Sequence, residues 1–277
     1  MTLRPNGLAR LVSAALPDER LTAEELETCC YGPDSNVIGD ELAAAVLTVK
    51  QYGDLAAAWL VLVAVHPGSR REGRGRALVE ESAARAREAG AVDLHLGTAI
   101  PRYVWPGVDF RFTAALSLFE AMGFEPYGAA CNMTIPTSFG VEAPPDVSIA
   151  RERGDGSIAL AARSFPHWVD EVERGTAAGT CYAARAGGTT IGFACHSVNR
   201  RGWIGPMATD PERQRGGVGS ALLGALCRAL AAEGVADGEI AWVGPIGFYA
   251  KAGARVSRVF RNAKLPLSET GRPISTR

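Results

Sequence analysis

The sequence predicts an α/β protein made of two tandem copies of one fold, each with a mixed central sheet flanked by helices. Two observations support this prediction. One turn-forming signature occurs twice, as PGSRREGRG at residues 67–75 and as PERQRGGVG at residues 211–219, at an offset of 144 residues. Segments with strand and helix periodicity also follow one another in the same order in both halves of the chain.

The duplication extends beyond the signature. At the same offset, residues 59–93 and 203–237 share ten identities without a gap. In the first copy these positions are Trp59, Ala64, Pro67, Arg71, Gly73, Gly75, Ala77, Leu78, Gly90 and Asp93. A linker separates the copies, since residues 136–146 contain three prolines, a glycine and small polar residues. We therefore expect one domain at residues 1–137 and a second at residues 146–277, joined by a linker at residues 138–145.

Length and composition set broad limits on function. The 277 residues are enough for two ordinary domains, each with its own core. The net charge of −1 gives no support for a nucleic-acid partner, which a basic excess would indicate. The sequence has no apolar run approaching the roughly 20 residues of a membrane span, and no apolar core of a signal peptide. The six cysteines lack metal-ligand spacing. We expect a cytoplasmic protein, monomeric or homodimeric, with reduced thiols and no metal, membrane or nucleic-acid partner.

The second copy has the clearer pattern of elements. Gly187-Gly188 separates two strand-like runs and indicates a hairpin. The next apolar strand contains Gly205-Pro206, which indicates a bulge. After the signature, an amphipathic helix runs to Gly234, its predicted C-terminal cap. A strand at residues 239–243, a short helix at 245–252 and a strand at 255–260 complete the copy.

The first copy follows the same order. Its predicted elements are a helix at residues 22–29, strands at 41–49 and 55–65, a helix ending at Ala89, a strand at 92–96, a helix at 114–122 and a strand at 128–135. It differs by a longer, aromatic-rich connection at residues 97–113. A long loop in a compact domain is frequently functional, and this one either lines a pocket or packs at a domain interface.

The repeated signature has the chemistry of an anion-binding loop. Its glycines permit a tight turn that brings successive N–H groups together. The helix that follows adds further donors and the positive end of its dipole, so a phosphate or pyrophosphate fits there. Leu78 and Leu222 occupy the place of the third glycine of a Rossmann fingerprint, and both copies lack the Gly-Lys-Ser/Thr of a P-loop.

The pattern Gln/Arg-x-x-Gly-x-Gly after an apolar strand resembles motif A of the GNAT superfamily of N-acetyltransferases, which holds the pyrophosphate of acetyl-CoA. The resemblance implies two tandem copies of the GNAT fold with mostly antiparallel sheets, and acetyl-CoA as co-substrate. It places the pyrophosphate on the signature and the pantetheine arm on the preceding strand. The implied binding residues are Met207, Ala208, Thr209, Gln214, Arg215, Gly216, Gly217, Val218, Gly219 and Ser220 in the second copy, and Val63, Val65, Arg70, Arg71, Gly73, Arg74, Gly75 and Arg76 in the first.

The resemblance also implies which copy is catalytic. The family's later motif, an aromatic-rich helix ending near a glycine, is similar to residues 248–253 and, more weakly, to residues 118–124. In the family, a tyrosine at the place of Tyr249 often protonates the leaving thiolate, and a phenol keeps its proton at neutral pH because its pKa is about 10. Phe119 stands at the corresponding place in the first copy. We therefore expect catalysis in the second copy, and a non-catalytic first copy that keeps its anion loop as a scaffold or sensor.

Several residues compete for the role of general base. We select Glu239, which opens the strand beside the acyl site, although a solvated strand end would have the same pattern. His196 lies on the hairpin strand, and histidine titrates near neutral pH. Asp170, Glu171 and Glu173 fall where the family's variable first helices cover the acceptor. These three carboxylates either recognise a cationic amine or form an ordinary charged helix face.

The resemblance implies direct attack of a primary amine of a small metabolite on the acetyl thioester. Two alternatives stay open. The acceptor is a protein or peptide amine, or the chain is a non-catalytic CoA-binding sensor or scaffold. Tyr249 favours the enzyme over the sensor, whereas the near-neutral charge does not separate the two classes of acceptor.

Overall fold

The computed structural model describes residues 3–53 and 55–267, which form two compact units. The first unit consists of the described residues up to Ala129 together with those from Phe260 onward, and the second unit is Ala130–Val259. Each unit contains a mixed, mostly antiparallel sheet with helices packed on its faces. This arrangement confirms the α/β class that the sequence predicts.

The first unit begins with a helix that is not among the sequence-predicted elements. In this helix Pro5 occupies the first turn, where its missing N–H is no loss, and Leu8, Leu11 and Val12 are buried on one face. The elements of this unit are α1 (Pro5–Ala15), α2 (Ala23–Cys30), β1 (Ser35–Gly39), β2 (Ala43–Tyr52), β3 (Leu55–Val65), α3 (Arg74–Glu88), β4 (Ala91–Leu96), β5 (Val108–Asp109) and α4 (Thr113–Ala121). The last helix leads into β6 (Glu125–Pro136), which continues into the second unit.

The sheet of the first unit has helices on both faces. β1 pairs antiparallel with β2, β2 pairs antiparallel with β3, and β3 pairs parallel with β4. Because side chains alternate along a strand, Ala44 and Val46 of β2 belong to the core beneath α1 and α2. Ala45 and Leu47 belong to the core beneath α3. β2 is therefore buried on both faces, with α1 packed on one side of the sheet and α3 on the other.

The second unit repeats this plan. Its elements are β7 (Ser148–Arg151), α5 (Gly156–Ser164), α6 (Val169–Ala177), β8 (Cys181–Ala186), β9 (Thr189–His196), β10 (Trp203–Thr209), α7 (Val218–Ala232), β11 (Asp237–Ile240) and α8 (Ile246–Lys251), followed by β12 (Arg255–Pro266). The antiparallel pairs are β7 with β8, β8 with β9, β9 with β10, and β11 with β6. β10 and β11 form the parallel pair.

The last strand of each sequence copy completes the sheet built mainly by the other copy. Residues 133–136 of β6 pair with β11, and Met133 and Ile135 lie in the core of the second unit. Residues 264–266 of β12 pair with β4, and Phe260 lies in the core of the first unit. Each compact unit thus contains residues from both copies of the sequence repeat.

Several predicted features of the second unit are confirmed and one is wrong. Gly187 and Gly188 both adopt positive φ between β8 and β9, as the predicted hairpin requires. The register of β10 against β9 shifts between Ile204 and Met207, which confirms the bulge. The strand predicted at residues 239–243 ends at Ile240, because Trp242 adopts a φ of 48° and its amide donates to Asn132 Oδ1 at 2.8 Å. Within residues 3–53 and 55–267, every helix is too short or too polar to cross a membrane.

Candidate functional site

The two signature loops have the same backbone conformation. Each begins with a 3₁₀ turn, at Pro67–Ser69 in the first unit and at Pro211–Arg213 in the second. Arg71 and Arg215 follow with φ of 66° and 69°, and the glycines that precede α3 and α7, Gly73 and Gly217, both have φ of 82°. Glycine enters this left-handed region without the steric cost that a Cβ imposes. The repeated sequence therefore encodes one loop geometry twice.

Each loop ends at a helix whose first turn is open to an anion. Gly73 and Gly217 are the N-cap residues of α3 and α7, and neither can supply a side-chain acceptor for the first helical N–H groups. A Cβ built at Gly73 would meet no other group within 4 Å, so the loop surface is open at that point. Convergent N–H donors and a positive helix end form a site for phosphate.

Side chains brace both loops from within. In the first unit, His66 Nδ1 accepts from the Gly68 amide at 3.2 Å. In the second unit, Asp210 Oδ1 accepts from the Glu212 amide at 3.1 Å. These local bonds stabilise the turn, as side chains that accept from nearby backbone amides commonly do.

The arginines of the first loop are not equivalent. Arg70 donates to the carbonyl oxygens of Val65 at 3.3 Å and Ala15 at 2.8 Å, so this guanidinium fastens the loop to the end of α1. Arg74 lies 3.4 Å from Glu72. Arg71 is exposed at the turn. Of the predicted phosphate ligands, Arg70 thus has a structural role that the sequence pattern does not reveal.

The parallel strands separate in front of each loop. β3 and β4 remain paired up to Leu60 and Leu96, and β10 and β11 remain paired up to Ile204 and Ile240. Val63 and Val65 in the first unit, and residues 207–209 in the second, lie beyond these last pairs. Separated strands expose backbone groups to an extended ligand, which is the arrangement that the sequence predicts for the pantetheine arm.

A cavity of about 720 Å³ lies in the first unit at this opening. All eight residues predicted to bind CoA in the first copy line it: Val63, Val65, Arg70, Arg71, Gly73, Arg74, Gly75 and Arg76. The volume is within the range of roughly 300–1,000 Å³ typical of small-molecule sites. The connection at residues 97–113 also lines the cavity, through Trp105, residues 107–109, Arg111 and Phe112.

A charged cluster at the wall of this cavity escaped the sequence-based prediction. The Trp105 indole N–H donates to Glu19 Oε2 at 3.1 Å. Arg111 grips Asp109 with two nitrogens, Nε at 3.1 Å and Nη2 at 2.8 Å from Oδ2, and its Nη2 lies 3.5 Å from Glu19. The Asp-x-Arg spacing in a long connection is the one signal that could have indicated it, whereas Glu19 is distant in sequence and has no motif.

Tyr249 lies on α8 in the core of the second unit. Its ring meets that of Phe248 edge-on at 4.9 Å, and a Cβ at Gly219 would touch Phe248 at 3.4 Å, so this helix packs against the start of α7. The residue is only 7% exposed, and burial raises the pKa of Tyr249 to about 12. Within the described residues its hydroxyl makes no hydrogen bond. Tyr249 therefore keeps its proton and has a donor available.

Phe119 occupies the corresponding position on α4 in the first unit. It is as buried as Tyr249, packs edge-on against Phe124 at 5.1 Å and lines the cavity. A phenyl ring has neither donor nor acceptor. The two units thus share a loop but differ at this helix position, where only the second unit has a hydroxyl.

Glu239 is engaged in a hydrogen-bond network on the sheet of the second unit. Its carboxylate accepts from Asn132 Nδ2 at 2.5 Å and from the Trp203 indole at 3.1 Å, and Arg258 Nη1 lies 4.0 Å away. Asn132 also accepts from the Trp242 amide through Oδ1. This network joins β11 to the neighbouring strands, so the carboxylate has a clear structural role beside the catalytic one predicted for it.

The other candidate bases occupy different environments. His196 is fully buried, and burial lowers its pKa, with Glu233 3.8 Å from Nε2. Asp170 pairs with Arg174 at 2.6 Å, and Glu173 is exposed. Glu171 is buried, and its burial raises its pKa to about 8, with Arg174 opposing that rise. The three predicted carboxylates of α6 therefore have different environments: Asp170 is in an ion pair, Glu171 is buried and Glu173 is exposed to solvent.

All six cysteines are free thiols. Among the residues that the structure describes, no three His, Cys, Asp or Glu side chains come together as a metal site.

Comparisons with known proteins match both halves of the chain to one family. Residues 33–126 match the family model described as "Acetyltransferase (GNAT) domain", and residues 152–254 match "Acetyltransferase (GNAT) family". No curated protein sequence matches this chain.

Solved structures share the fold at low sequence identity. A tandem GNAT protein from the clavulanic acid biosynthesis pathway has a TM-score of 0.68 at 17% identity, with 96% of each chain covered. A GCN5-related N-acetyltransferase from Sphaerobacter thermophilus has a TM-score of 0.64 at 18% identity, covering 95% of this chain and 92% of its own.

A fungal multi-domain GH3 β-N-acetylglucosaminidase contains a GCN5-related glucosamine N-acetyltransferase region, with a TM-score of 0.75 at 17% identity. The match covers 94% of this chain, which spans 37% of the fungal protein.

Proposed function

Because the chain belongs to the GNAT acetyltransferase family and carries two tandem domains of it, we propose that it transfers an acetyl group from acetyl-CoA to a primary amine of a small metabolite. In enzyme terms this is an acyltransferase that transfers groups other than aminoacyl groups. The observation that carries the proposal is the availability of the Tyr249 hydroxyl in the second unit, which also contains a complete anion loop.

The residues present fit the pyrophosphate of acetyl-CoA. The left-handed glycines, the helix starts without a side-chain cap and the separated strands supply N–H donors and backbone groups in both units. When bound, acetyl-CoA supplies a thioester whose carbonyl carbon an amine can attack. The chain holds the phosphates at the loop and the acyl arm between the strands, which lowers the entropic barrier to attack.

Tyr249 acts as the general acid in this proposal. As the C–N bond forms and the C–S bond breaks, its hydroxyl gives a proton to the leaving sulfur. The attacking nitrogen gives one proton to Glu239, which passes it to solvent, and the tyrosine regains one from solvent, so the protons balance. The burial that raises the pKa of Tyr249 to about 12 keeps the hydroxyl protonated at neutral pH. Glu239 remains the proposed base, although its present partners would have to share the carboxylate.

Replacing Tyr249 by phenylalanine tests the assignment. We expect Tyr249→Phe to lower kcat by roughly a hundredfold with little change in KM, since general acid catalysis contributes about 10²–10⁴-fold. The measurement is CoA release across a panel of primary amines. Tyr182→Phe is the matched control, because it removes a hydroxyl from a half-buried tyrosine of the same unit. Equal turnover by Tyr249→Phe and wild type would contradict the proposal.

Two alternatives are separated by the same assay. The fungal protein contains a glucosamine N-acetyltransferase region of similar fold, which favours a small-molecule acceptor over a protein amine. Turnover with lysine-containing peptides but with none of the small amines would favour the protein acceptor. CoA binding without turnover on either class would favour a sensor or scaffold, the role that Phe119 and the cavity support for the first unit alone.

A further inference from the structure

The cavity of the first unit has a cationic loop end and an end where carboxylates outnumber cations. Arg70, Arg71, Arg74 and Arg76 line the loop end. The chain from Ala15 to Glu19 runs along the cavity wall from one end to the other. Ala15 accepts a hydrogen bond from Arg70 of the loop, and Glu19 accepts one from Trp105. A ligand whose phosphates are held by the loop therefore leaves the far end available for a second, smaller molecule.

Arg111 is held at that far end in a fixed orientation. Asp109 binds its backbone N–H at 2.9 Å and its side chain through Nε and Nη2. The hydrogen bond to Asp109 raises the pKa of Arg111, so the guanidinium stays charged. Its side chain is 55% exposed and lines the cavity, and no described residue bonds its Nη1. Arg111 thus presents positioned N–H donors that suit a carboxylate.

Carboxylates surround this guanidinium. Glu19 and Asp109 are buried, and Asp18 is exposed; all three line the cavity. A carboxylate has about four lone-pair positions, so Glu19 can accept from an ammonium group beside its contacts with Trp105 and Arg111. A lone anion on Arg111 would be repelled by Glu19 and Asp18, and a lone cation would be repelled by Arg111. A ligand that carries an anionic and a cationic group a few ångströms apart can pair with Arg111 and with the carboxylates at the same time.

We propose that the first unit binds a zwitterionic amine of the α-amino acid type at this end of its cavity. The ligand carboxylate pairs with Arg111, and its ammonium group is held by Glu19 and Asp18. This is a binding role for the unit that lacks the tyrosine, and it does not depend on which unit transfers the acetyl group.

Calorimetry on the full chain tests the charge requirement. The probes are the L-amino acids, added singly with CoA present to occupy the loops. The tightest of them is then compared with its methyl ester, which has no carboxylate, and with its desamino acid, which has no ammonium group. We expect both analogues to bind at least roughly tenfold more weakly, since each loses a charge-assisted contact. Equal affinity of either analogue, or no binding by any amino acid, overturns the proposal.

Variants then test the residues. Asp18→Asn changes an exposed side chain, so the fold should persist, and we expect several-fold weaker binding of the amino acid. Arg111→Lys keeps the charge beside Asp109 but loses the fork, and we expect roughly tenfold weaker binding. Glu120→Gln and Arg10→Lys are exposed controls that should bind as the wild type does.

Thermal unfolding of each variant verifies folding. If Asp18→Asn and Arg111→Lys bind the amino acid normally, or if Arg111→Lys weakens CoA binding alone, the assignment is wrong. Binding is read without turnover, so an inactive Tyr249 site would leave this result unaffected.

Discussion

Two buried glutamates of the second unit have opposite pKa shifts because their surroundings differ. Burial by itself would raise the pKa of Glu152, but bonds from Ser157, Gly154 and Arg185 outweigh it and lower the pKa to about 2. Glu171 is also buried, yet among the described residues it accepts only from Asn199 Nδ2, at 3.3 Å, and Arg174 offsets little of the desolvation. Its pKa is raised to about 8. At neutral pH, Glu152 is ionised and Glu171 largely protonated.

This shift predicts a pH-dependent stability that Glu171→Gln removes. Between pH 4.5, the ordinary pKa of a glutamate, and about pH 8, the folded chain keeps a proton on Glu171 that the unfolded chain has released. The contribution of Glu171 to the free energy of unfolding is therefore complete below pH 4.5 and is lost as pH rises through about 8. The loss is on the order of a few kcal/mol. Urea unfolding at pH 5 and pH 8.5 should show a smaller decline for Glu171→Gln than for wild type. The exposed Glu173→Gln is the control, and parallel pH profiles for all three proteins would contradict the prediction.

Residue-level chemistry was only partly predictable from the sequence. The sequence indicates Tyr249 and Phe119 because they follow a recognisable helix motif at the same place in both copies. It could not indicate the partners of Glu239, since Asn132 lies 107 positions earlier in the sequence and meets it only through sheet pairing. The contact between Glu19 and Arg111 was not predicted for the same reason, because the two residues are distant in sequence and meet only in the folded chain. Contacts of long sequence separation carry no local pattern.

At the scale of elements, the strand, loop and helix of each signature form one unit of local structure. Its conformation depends on glycine at residues 73 and 217, whose φ of 82° is strained for a branched side chain. Local rules were sufficient to predict this strand–loop–helix segment, since turn residues and helix periodicity act within a few residues. They failed where tertiary contacts override periodicity, as at the end of β11, where Asn132 binds the Trp242 amide.

Matched glycine substitutions separate the roles of the two loops. We expect Gly217→Val to weaken CoA binding in the second unit roughly tenfold and to suppress turnover, since a left-handed β-branched residue costs about 1–3 kcal/mol. Gly73→Val should weaken CoA binding in the first unit by a similar factor and spare turnover. Calorimetric stoichiometry and steady-state kinetics distinguish the two sites.

Asparagine at either position is the matched control, because it tolerates this backbone conformation. If Gly73→Val abolishes turnover while Gly217→Val does not, the units have been assigned the wrong way round.

At the scale of the whole molecule, the connectivity of the strands is the least local feature. The sequence repeat predicts two consecutive copies, and it contains no signal for which sheet receives the final strand of each copy. In the structure, Phe260 belongs to the first unit's core although it lies at the end of the second copy, and Met133 belongs to the second unit's core although it lies in the first. Both side chains are almost fully buried. Unfolding of one unit should therefore be triggered by a mutation in the other copy's sequence.

Two reciprocal core truncations test this crossing of sequence and structure. Phe260→Ala should cost about 3–5 kcal/mol and Met133→Ala about 2–5 kcal/mol, the usual range for large-to-alanine changes in a core. Hydrogen exchange should then accelerate in β3 and β4 for Phe260→Ala, and in β10 and β11 for Met133→Ala, because local opening follows the unit that lost its packing. The exposed Val256→Ala, on the same strand as Phe260, should leave both patterns unchanged. Faster exchange in β10 and β11 but not in β3 and β4 for Phe260→Ala would show that the strand completes the unit of its own sequence copy.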